Sequence, residues 1–211
     1  MSSEDTLEIT IEVPHPRERT RLVRAAGIDP RRTTRDALRI AGLESGDFVS
    51  AANLESSLAE AEPVAALERA IRLLGHRERS SLEIARRLDE DGYPESVIEA
   101  VIERLAGWGY LDQARYTESL IVTKKASGWG RAHIGRALRD AGIPIEAAVD
   151  ALDAHLPDDE ELDRASAHLR PPRECDSRWA ERQAARLVRK GFTYDIARKA
   201  VQRSIDASED S

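Results

Sequence analysis

IARRLDEDGYPESVIEAVIERL, at Ile84–Leu105, is the first of three similar stretches in a chain of 211 residues. IGRALRDAGIPIEAAVDALDAH follows at Ile134–His155, and QAARLVRKGFTYDIARKAVQRS follows at Gln183–Ser204. The three stretches align without gaps, and their starts are 50 and then 49 residues apart. A fixed period of about 20–50 residues is typical of arrays in which each unit packs on its neighbours. The repeat therefore predicts a helical array with a long surface, which suits an extended partner better than a small substrate.

Each copy is interpreted as a helix, a sharp stop and a second helix. A glycine follows the first helix, where a left-handed residue without a Cβ is most easily accommodated. We expect the bulky residue after it to fold back onto that helix, and a proline or a capping threonine to begin the next one. The aligned positions are Leu88, Leu138 and Leu187; Gly92, Gly142 and Gly191; Tyr93, Ile143 and Phe192; and Pro94, Pro144 and Thr193. These positions are structural, so function is expected on the outer surface.

The first 62 residues differ from the array. Leu7–Val13 alternates apolar and polar residues, which predicts a half-buried strand. We predict a partner strand at Thr20–Val23, a turn at Ala25–Pro30, a short helix at Thr34–Ala41 ended by Gly42, and a helix over Leu54–Ala61 capped by Asn53. The predicted domains are an N-terminal segment with short strands and a short helix at 1–62, helical repeat 1 at 63–110, repeat 2 at 111–156, repeat 3 at 157–206, and a disordered tail at 207–211.

Composition favours a cytoplasmic protein. Charged residues make up 34% of the chain and aromatic residues 4%. The one cysteine, Cys175, excludes an internal disulfide framework and is interpreted as a bystander thiol in a reducing compartment. No apolar run approaches the ~20 residues of a membrane span, and the acidic N-terminus lacks the features of a signal peptide. We expect neither membrane association nor export.

The charge distribution is uneven, although the net charge is −7. The window Arg115–Arg139 holds six basic residues and one acid, and Arg164–Arg203 holds eleven basic residues and four acids. These windows predict a basic stripe that contacts acidic protein surface or phosphate; the alternative is a set of solvated helix faces. We expect that changing Lys124, Lys125 and Arg131 to Glu weakens partner binding without altering thermal stability. The full set of candidate contact residues is Arg115, Lys124, Lys125, Arg131, Arg136, Arg139, Arg186, Arg189 and Lys190.

Sequence signatures of catalysis are missing. The chain has no Gly-rich phosphate loop, no HExxH and no GxSxG, and its five histidines lack ligand spacing. The acidic run Asp158–Glu161 follows Pro157 and fills the first turns of a predicted helix, where the helix dipole stabilises negative charge. Consecutive carboxylates on a helix point in different directions, which argues against a metal site. We therefore expect a non-enzyme without catalytic residues, metal or cofactor.

Four stretches together resemble the bacterial regulatory protein RecX family. ALERAIRLLGHRERSSLEIARRL at Ala66–Leu88 is similar to the family's opening block, with its turn at Arg77-Glu78-Arg79-Ser80. Gly107–Ile143, with Leu111-Asp112, Tyr116 and Gly130-Arg131, is similar to the middle block, and LVRKGFTYDIARKAV to the closing one. GLESGDFVSAANLESSL at Gly42–Leu58 is similar to the segment before the first repeat. Thr117 and Gln113 depart from the family pattern, and the first forty residues match poorly.

The resemblance implies a mainly α fold, a tandem array of three three-helix repeats in a curved arrangement. The strand pattern of the first 62 residues adds a small β-containing N-terminal appendage to this expectation. The resemblance also implies a non-enzymatic negative regulator of the RecA recombinase. Such a regulator binds RecA and its filament on single-stranded DNA and restrains ATP hydrolysis, strand exchange and co-protease activity. We expect a monomer with, at most, weak direct DNA binding. A helix-turn-helix transcription regulator is the main alternative, and a scaffold for another protein is a third.

Overall fold

Helices form most of the chain, and short strands are confined to its N-terminal part. The computed structural model describes residues 6–15, 18–169 and 177–209. Two compact units divide the chain, unit 1 at Met1–Asp112 and unit 2 at Gln113–Ser211. The strands are β1 Thr6–Glu8, β2 Thr10–Glu12, β3 Thr20–Arg24, β4 Arg31–Thr34 and β5 Phe48–Ser50. The helices are α1 Arg35–Ala41, α2 Ala51–Leu74, α3 Ser81–Asp91, α4 Glu95–Gly107, α5 Gln113–Ala126, α6 Arg131–Asp140, α7 Ile145–His155, α8 Asp158–Ala167, α9 Ser177–Arg189 and α10 Tyr194–Glu209.

The N-terminal appendage contains two small antiparallel sheets, ordered β2-β3-β4 and β1-β5. The predicted partner strand is β3, but the predicted single strand over Leu7–Val13 is wrong because it divides at Ile9. The Ile9 amide donates to the Asp47 carbonyl at 2.9 Å, and its own carbonyl accepts from the Gly46 amide at 2.8 Å. The chain thus changes its pairing partner at the buried Ile9: β1 pairs with β5, and β2 pairs with β3. Strand β4 was not predicted, because Arg-Arg-Thr-Thr carries no apolar alternation.

Helix α1 matches the predicted short helix. The Thr34 hydroxyl accepts from the Ala37 amide at 3.1 Å, which satisfies one of the free amides of the first turn. Gly42 ends the helix in the left-handed conformation, at φ 67°. Both boundaries therefore follow from residues that the sequence places at the two ends.

Helix α2 differs from the prediction at the boundary between the N-terminal segment and the first repeat. It begins at Ala51 with Ser50 as its cap, not at Leu54 with Asn53, and it continues through Pro63 to Leu74. Proline inside a helix removes one hydrogen bond and crowds the preceding turn. Here both halves are anchored in apolar clusters: Leu54 and Leu58 pack in the appendage, and Ala65, Ala66, Ala70 and Leu73 pack in the first repeat. One continuous helix therefore packs in both the N-terminal appendage and the first repeat.

The stop between the paired helices is formed as predicted in all three copies. Gly92, Gly142 and Gly191 have φ values of 104°, 81° and 88°. The amide of the next residue then donates to the carbonyl of the aligned leucine: Tyr93 to Leu88 at 3.1 Å, Ile143 to Leu138 at 3.0 Å and Phe192 to Leu187 at 3.1 Å. Each of these bulky side chains is buried. Helices α2–α4, α5–α7 and α8–α10 thus form three three-helix repeats, which confirms the mainly α fold class.

Smaller expectations have different outcomes. Pro94, Pro144 and Pro157 each lie at the N-cap position, one residue before the helix, and the Thr193 hydroxyl accepts from the Ile196 amide at 3.3 Å. Helix α10 extends to Glu209, so three residues of the expected tail are helical. Cys175 lies outside the described residues. No helix among the described residues combines the length and the apolar character needed to cross a bilayer.

Candidate interaction surface

The N-terminus of α6 is joined to the third repeat by backbone groups. The first amides of a helix have no partner within it. The Gly130 amide donates to the Lys190 carbonyl at 2.9 Å, and the Ala132 amide donates to the Gly191 carbonyl at 2.8 Å. The amide between them, that of Arg131, donates to Glu161 Oε1 at 2.6 Å. Two of these bonds hold the start of α6 against the end of α9, and the third holds it against the Glu161 side chain of α8.

Glycines allow this close approach. A Cβ on Gly130 would overlap the backbone at Gly191 and Phe192, and a Cβ on Gly191 would overlap His133. Gly191 also needs its positive φ to end α9. Any larger residue at Gly130 would therefore push the second and third repeats apart.

An aromatic stack lies at this junction. The Trp129 and His133 rings are 3.9 Å apart and inclined by 12°, and both side chains are half-buried. Lys190 Nζ lies 5.8 Å from the centre of the Trp129 ring, within the range of a cation–π interaction. The stack thus brings α6 and the end of α9 to one place on unit 2.

Cations surround the stack. Burial lowers the pKa of His133 below its usual value, and the positive charges of Lys124 and Arg136 lower it further. Burial and Lys190 likewise lower the pKa of His168, with Arg164 and Arg186 acting in the same direction, while a hydrogen bond with Gly128 opposes them. Both imidazoles are therefore neutral at pH 7, and the charge of the surface comes from lysine and arginine. We call this surface the Trp129 patch: Lys124, Trp129, His133, Arg136, Arg186 and Lys190.

The patch cations are not neutralised locally. Within residues 6–15, 18–169 and 177–209, no carboxylate lies within 4.0 Å of the charged groups of Lys124, Arg136, Arg186 or Lys190. Arg136 is exposed, and the others are half-buried. Such a surface can attract an acidic protein face or a phosphate backbone, and its aromatic ring offers a planar contact.

Lys125 and Arg131 have structural roles instead. The Arg131 guanidinium donates to the carbonyls of Leu152 and Leu156, both at 3.3 Å, and pairs with Asp153. Lys125 Nζ donates to the His155 carbonyl at 3.2 Å and pairs with Glu160 at 2.5 Å. Both side chains satisfy carbonyls at the C-terminal end of α7. These contacts argue against the expectation that reversing Lys124, Lys125 and Arg131 leaves thermal stability unaltered, and we now expect the reversal of Lys125 and Arg131 to lower it.

The other predicted contact residues are not linked to the patch by the contacts described. Arg115 is exposed near the start of α5, nine residues from Lys124, which corresponds to about 13 Å along a helix. Arg139 is exposed near the end of α6, and Arg189 is exposed at the end of α9. Their role in partner contact stays a prediction.

Sequence reasoning missed Trp129, His133 and the residues that hold them. The Arg164 guanidinium donates to the carbonyls of Lys125 at 3.1 Å and Trp129 at 2.6 Å. Glu161, predicted only as a helix-dipole residue, is fully buried; burial raises its pKa, opposed by the Arg131 amide and the nearby arginines. One signal was available: Gly-Trp-Gly occurs twice, at 107–109 and at 128–130.

No group of three potential metal ligands occurs among the described residues. Unit 2 instead offers a cationic surface with an aromatic stack, built on two interlocked helical repeats. The fold defines a helical-repeat protein.

Comparisons with known proteins identify the family. A family model described as "RecX, first three-helix domain" matches residues 66–105. Regulatory protein RecX of Leptothrix cholodnii is 36% identical over 135 residues, which cover 64% of this chain and 85% of that protein. Regulatory protein RecX of Stenotrophomonas maltophilia is 30% identical over 138 residues, with the same coverage. The chain belongs to the RecX family of regulatory proteins.

Other relatives match over a shorter length, and two solved structures share the fold. The RecX protein of Pseudomonas entomophila is 40% identical over 81 residues, which cover 38% of this chain and 52% of that protein. A crystal structure of regulatory protein RecX has a TM-score of 0.60 at 20% identity, covering 90% of this chain and 96% of the other. RecX from Lactobacillus salivarius has a TM-score of 0.59 at 21% identity, covering 68% and 96%.

Proposed function

We propose that this protein is a negative regulator of the RecA recombinase that binds RecA and its filament on single-stranded DNA. Through that binding it restrains ATP hydrolysis, strand exchange and co-protease activity, without chemistry of its own. Membership of a family of regulatory proteins supports the general role. The observation that carries the proposal is the Trp129 patch, in which cations without carboxylate partners in the described part of the chain surround an aromatic stack.

The patch suits a filament because the chemistry of a filament is acidic and repetitive. Phosphates of the bound DNA and acidic side chains of the protein both attract a cationic surface. A filament also offers the same site on every subunit. A repeat protein that contacts two neighbouring subunits gains affinity from the second contact, because that contact is effectively intramolecular. Binding of this kind alters subunit geometry and needs no active site.

The proposal is tested by ATP hydrolysis. The purified full-length protein is added to its cognate RecA, ATP and single-stranded DNA, and hydrolysis is followed with increasing protein. We expect hydrolysis to fall, and the effect to weaken as salt rises, because exposed charges are screened over ~8 Å at physiological ionic strength. The control is the protein alone, which should turn over no ATP.

A different result would favour the main alternative. If RecA hydrolysis is unchanged while the protein shifts a duplex of defined sequence, the protein is a helix-turn-helix DNA reader and the RecA proposal fails. If hydrolysis and duplex are both unaffected, the proposal also fails, and the scaffold alternative gains.

A further inference from the structure

A cleft of about 460 Å³ lies in the N-terminal appendage of unit 1. Arginines from two elements line its walls: Arg21 from β3, and Arg35 and Arg39 from α1. Its floor is apolar and consists of Ile11, Leu38 and Leu43. We call it the arginine cleft. The family model, which matches residues 66–105, does not reach it.

The arginines of this cleft carry little compensating charge. Arg21 donates to the carbonyls of Glu18 at 2.9 Å and Thr20 at 2.7 Å, which orient the guanidinium without neutralising it. Arg35 is exposed, and no carboxylate within the described residues lies within 4.0 Å of its guanidinium. Arg39 pairs only with Glu68, at 3.8 Å between two exposed side chains, a geometry that contributes little in water.

Three nearby arginines that do not line the cleft are neutralised. Arg19 pairs with Asp36 at 2.7 Å, Arg24 pairs with Glu12 at 2.9 Å, and Arg31 pairs with Glu62 at 2.9 Å. Glu44 is the one carboxylate residue among the lining residues, against three arginines. The cleft therefore groups three arginines with little compensating charge, whereas Arg32, outside it, donates to the Asp89 carbonyl at 3.3 Å.

The floor limits what the cleft can bind. Leu38 and Leu43 are buried and Ile11 is half-buried, all within the apolar cluster that includes Val23 and Leu54. A free inorganic anion would leave this apolar surface uncovered. The walls are also exposed at Arg35 and Arg39, so the cleft is an open groove. Pockets for small molecules enclose most of the ligand, whereas an open groove accommodates a passing chain segment.

We propose that the arginine cleft binds an acidic peptide segment of a partner protein. Carboxylates of the segment pair with the guanidinium groups of Arg21, Arg35 and Arg39, as charge complementarity requires. An apolar side chain between those carboxylates rests on Leu38 and Leu43. This site lies in unit 1 and is independent of the Trp129 patch, so it does not rest on the proposed RecA function.

Peptide binding tests the site directly. The full-length protein is titrated into a short fluorescent peptide of Glu, Asp and Leu, and fluorescence anisotropy is recorded. Wild type should bind, and the Arg35→Glu, Arg39→Glu double variant should bind at least about ten-fold more weakly, because two charged hydrogen-bonding groups are reversed. Arg24→Gln is the matched control, since Arg24 lies on β3 but faces Glu12, and it should bind like wild type.

Two further probes separate a peptide site from a general anion site. A peptide in which Ser replaces Leu should bind more weakly than the original, because it leaves the floor uncovered. Single-stranded DNA and inorganic phosphate should displace the original peptide poorly. The proposal is overturned if wild type does not bind the peptide, if the double variant binds as tightly as wild type, or if phosphate or DNA competes as well as unlabelled peptide.

Discussion

Unit 1 and unit 2 use their basic side chains in different ways. Most arginines of unit 1 face carboxylates, with the shortest ion pairs at Arg69–Asp91, Arg77–Glu83, Arg87–Glu90 and Arg19–Asp36, between 2.6 and 2.7 Å. In unit 2, the cations of the Trp129 patch have no such partner among the described residues. Most arginines of unit 1 thus form ion pairs, whereas the cations of the Trp129 patch form an open surface on unit 2.

Composition alone does not separate these uses. Unit 1 has 15 basic and 22 acidic residues, and unit 2 has 17 of each. Unit 2 is neutral overall, yet seven of its 17 acids lie on α7 and in the first turn of α8. Segregation of charge, rather than excess of charge, therefore produces the patch, and a chain with a net charge of −7 can present a cationic face.

The largest effect is expected in unit 1, where Arg31 forms an ion pair with the buried carboxylate of Glu62. Glu62 is 2% exposed and accepts from Arg31 at 2.9 Å and from Thr33 at 2.8 Å. Glu62→Ala leaves Thr33 without its acceptor and leaves Arg31 with one longer carboxylate contact, to Glu55 at 3.4 Å. It should lower the free energy of unfolding by about 2–4 kcal/mol. Glu60→Ala, two residues earlier on the exposed side of α2, should change it by less than about 0.5 kcal/mol. Equal denaturant midpoints for the two variants would contradict the structural role of unit 1 arginines.

A smaller effect distinguishes two arginines of one helix in unit 2. Arg131→Ala removes three hydrogen-bonded contacts at the end of α7 and should destabilise the protein by about 1–2 kcal/mol. Arg136→Ala, one and a half turns further along α6, should change stability by less than about 0.5 kcal/mol. Thermal melts of both variants check this. If Arg136→Ala is the more destabilising variant, Arg136 makes stabilising contacts and its charge is not available to a partner.

The smallest effect concerns pH. In the folded protein the pKa of His168 lies below its ordinary value of 6.5, so the unfolded chain binds a proton more readily. Stability from this group is therefore complete above about pH 6.5 and decreases as the pH falls through that value. His168→Gln should lose less stability than wild type between pH 7.5 and about 5.5, as measured by urea unfolding at each pH. Parallel curves for the two proteins would show that neither burial nor the nearby cations lower the pKa of His168.

Much of the fold could be predicted because its signals are local. The Leu, Gly and bulky residue of each repeat determine a helix stop within six positions, and the structure forms it three times. The continuation of α2 through Pro63 could not be predicted, because it depends on two apolar clusters that hold the helix on either side of the proline. Strand β4 was missed for a similar reason. Its buried Thr33 donates to Glu62, which lies 29 residues away in the chain.

The interaction surface was predicted in outline but not in detail. The charge windows contain four of the six patch residues as named candidates. They could not distinguish Arg131 from Arg136, because only the packing of α7 shows that the Arg131 guanidinium is hydrogen-bonded within the fold. Trp129 and His133 join the patch through the contact of α6 with the end of α9, which pairs residues about 60 positions apart in the chain.

The comparison between the units is tested most directly by charge reversal on each. One variant carries Lys124→Glu, Arg136→Glu and Lys190→Glu in the Trp129 patch; the other carries Arg24→Glu, Arg77→Glu and Arg87→Glu on exposed, carboxylate-paired arginines of unit 1. Inhibition of RecA ATP hydrolysis on single-stranded DNA is titrated with both, after melts establish that each is folded. We predict that the patch variant requires at least about ten-fold more protein for half inhibition, and that the unit 1 variant inhibits like wild type. Equal inhibition by the patch variant and wild type, or a loss confined to the unit 1 variant, would contradict the assignment of the Trp129 patch.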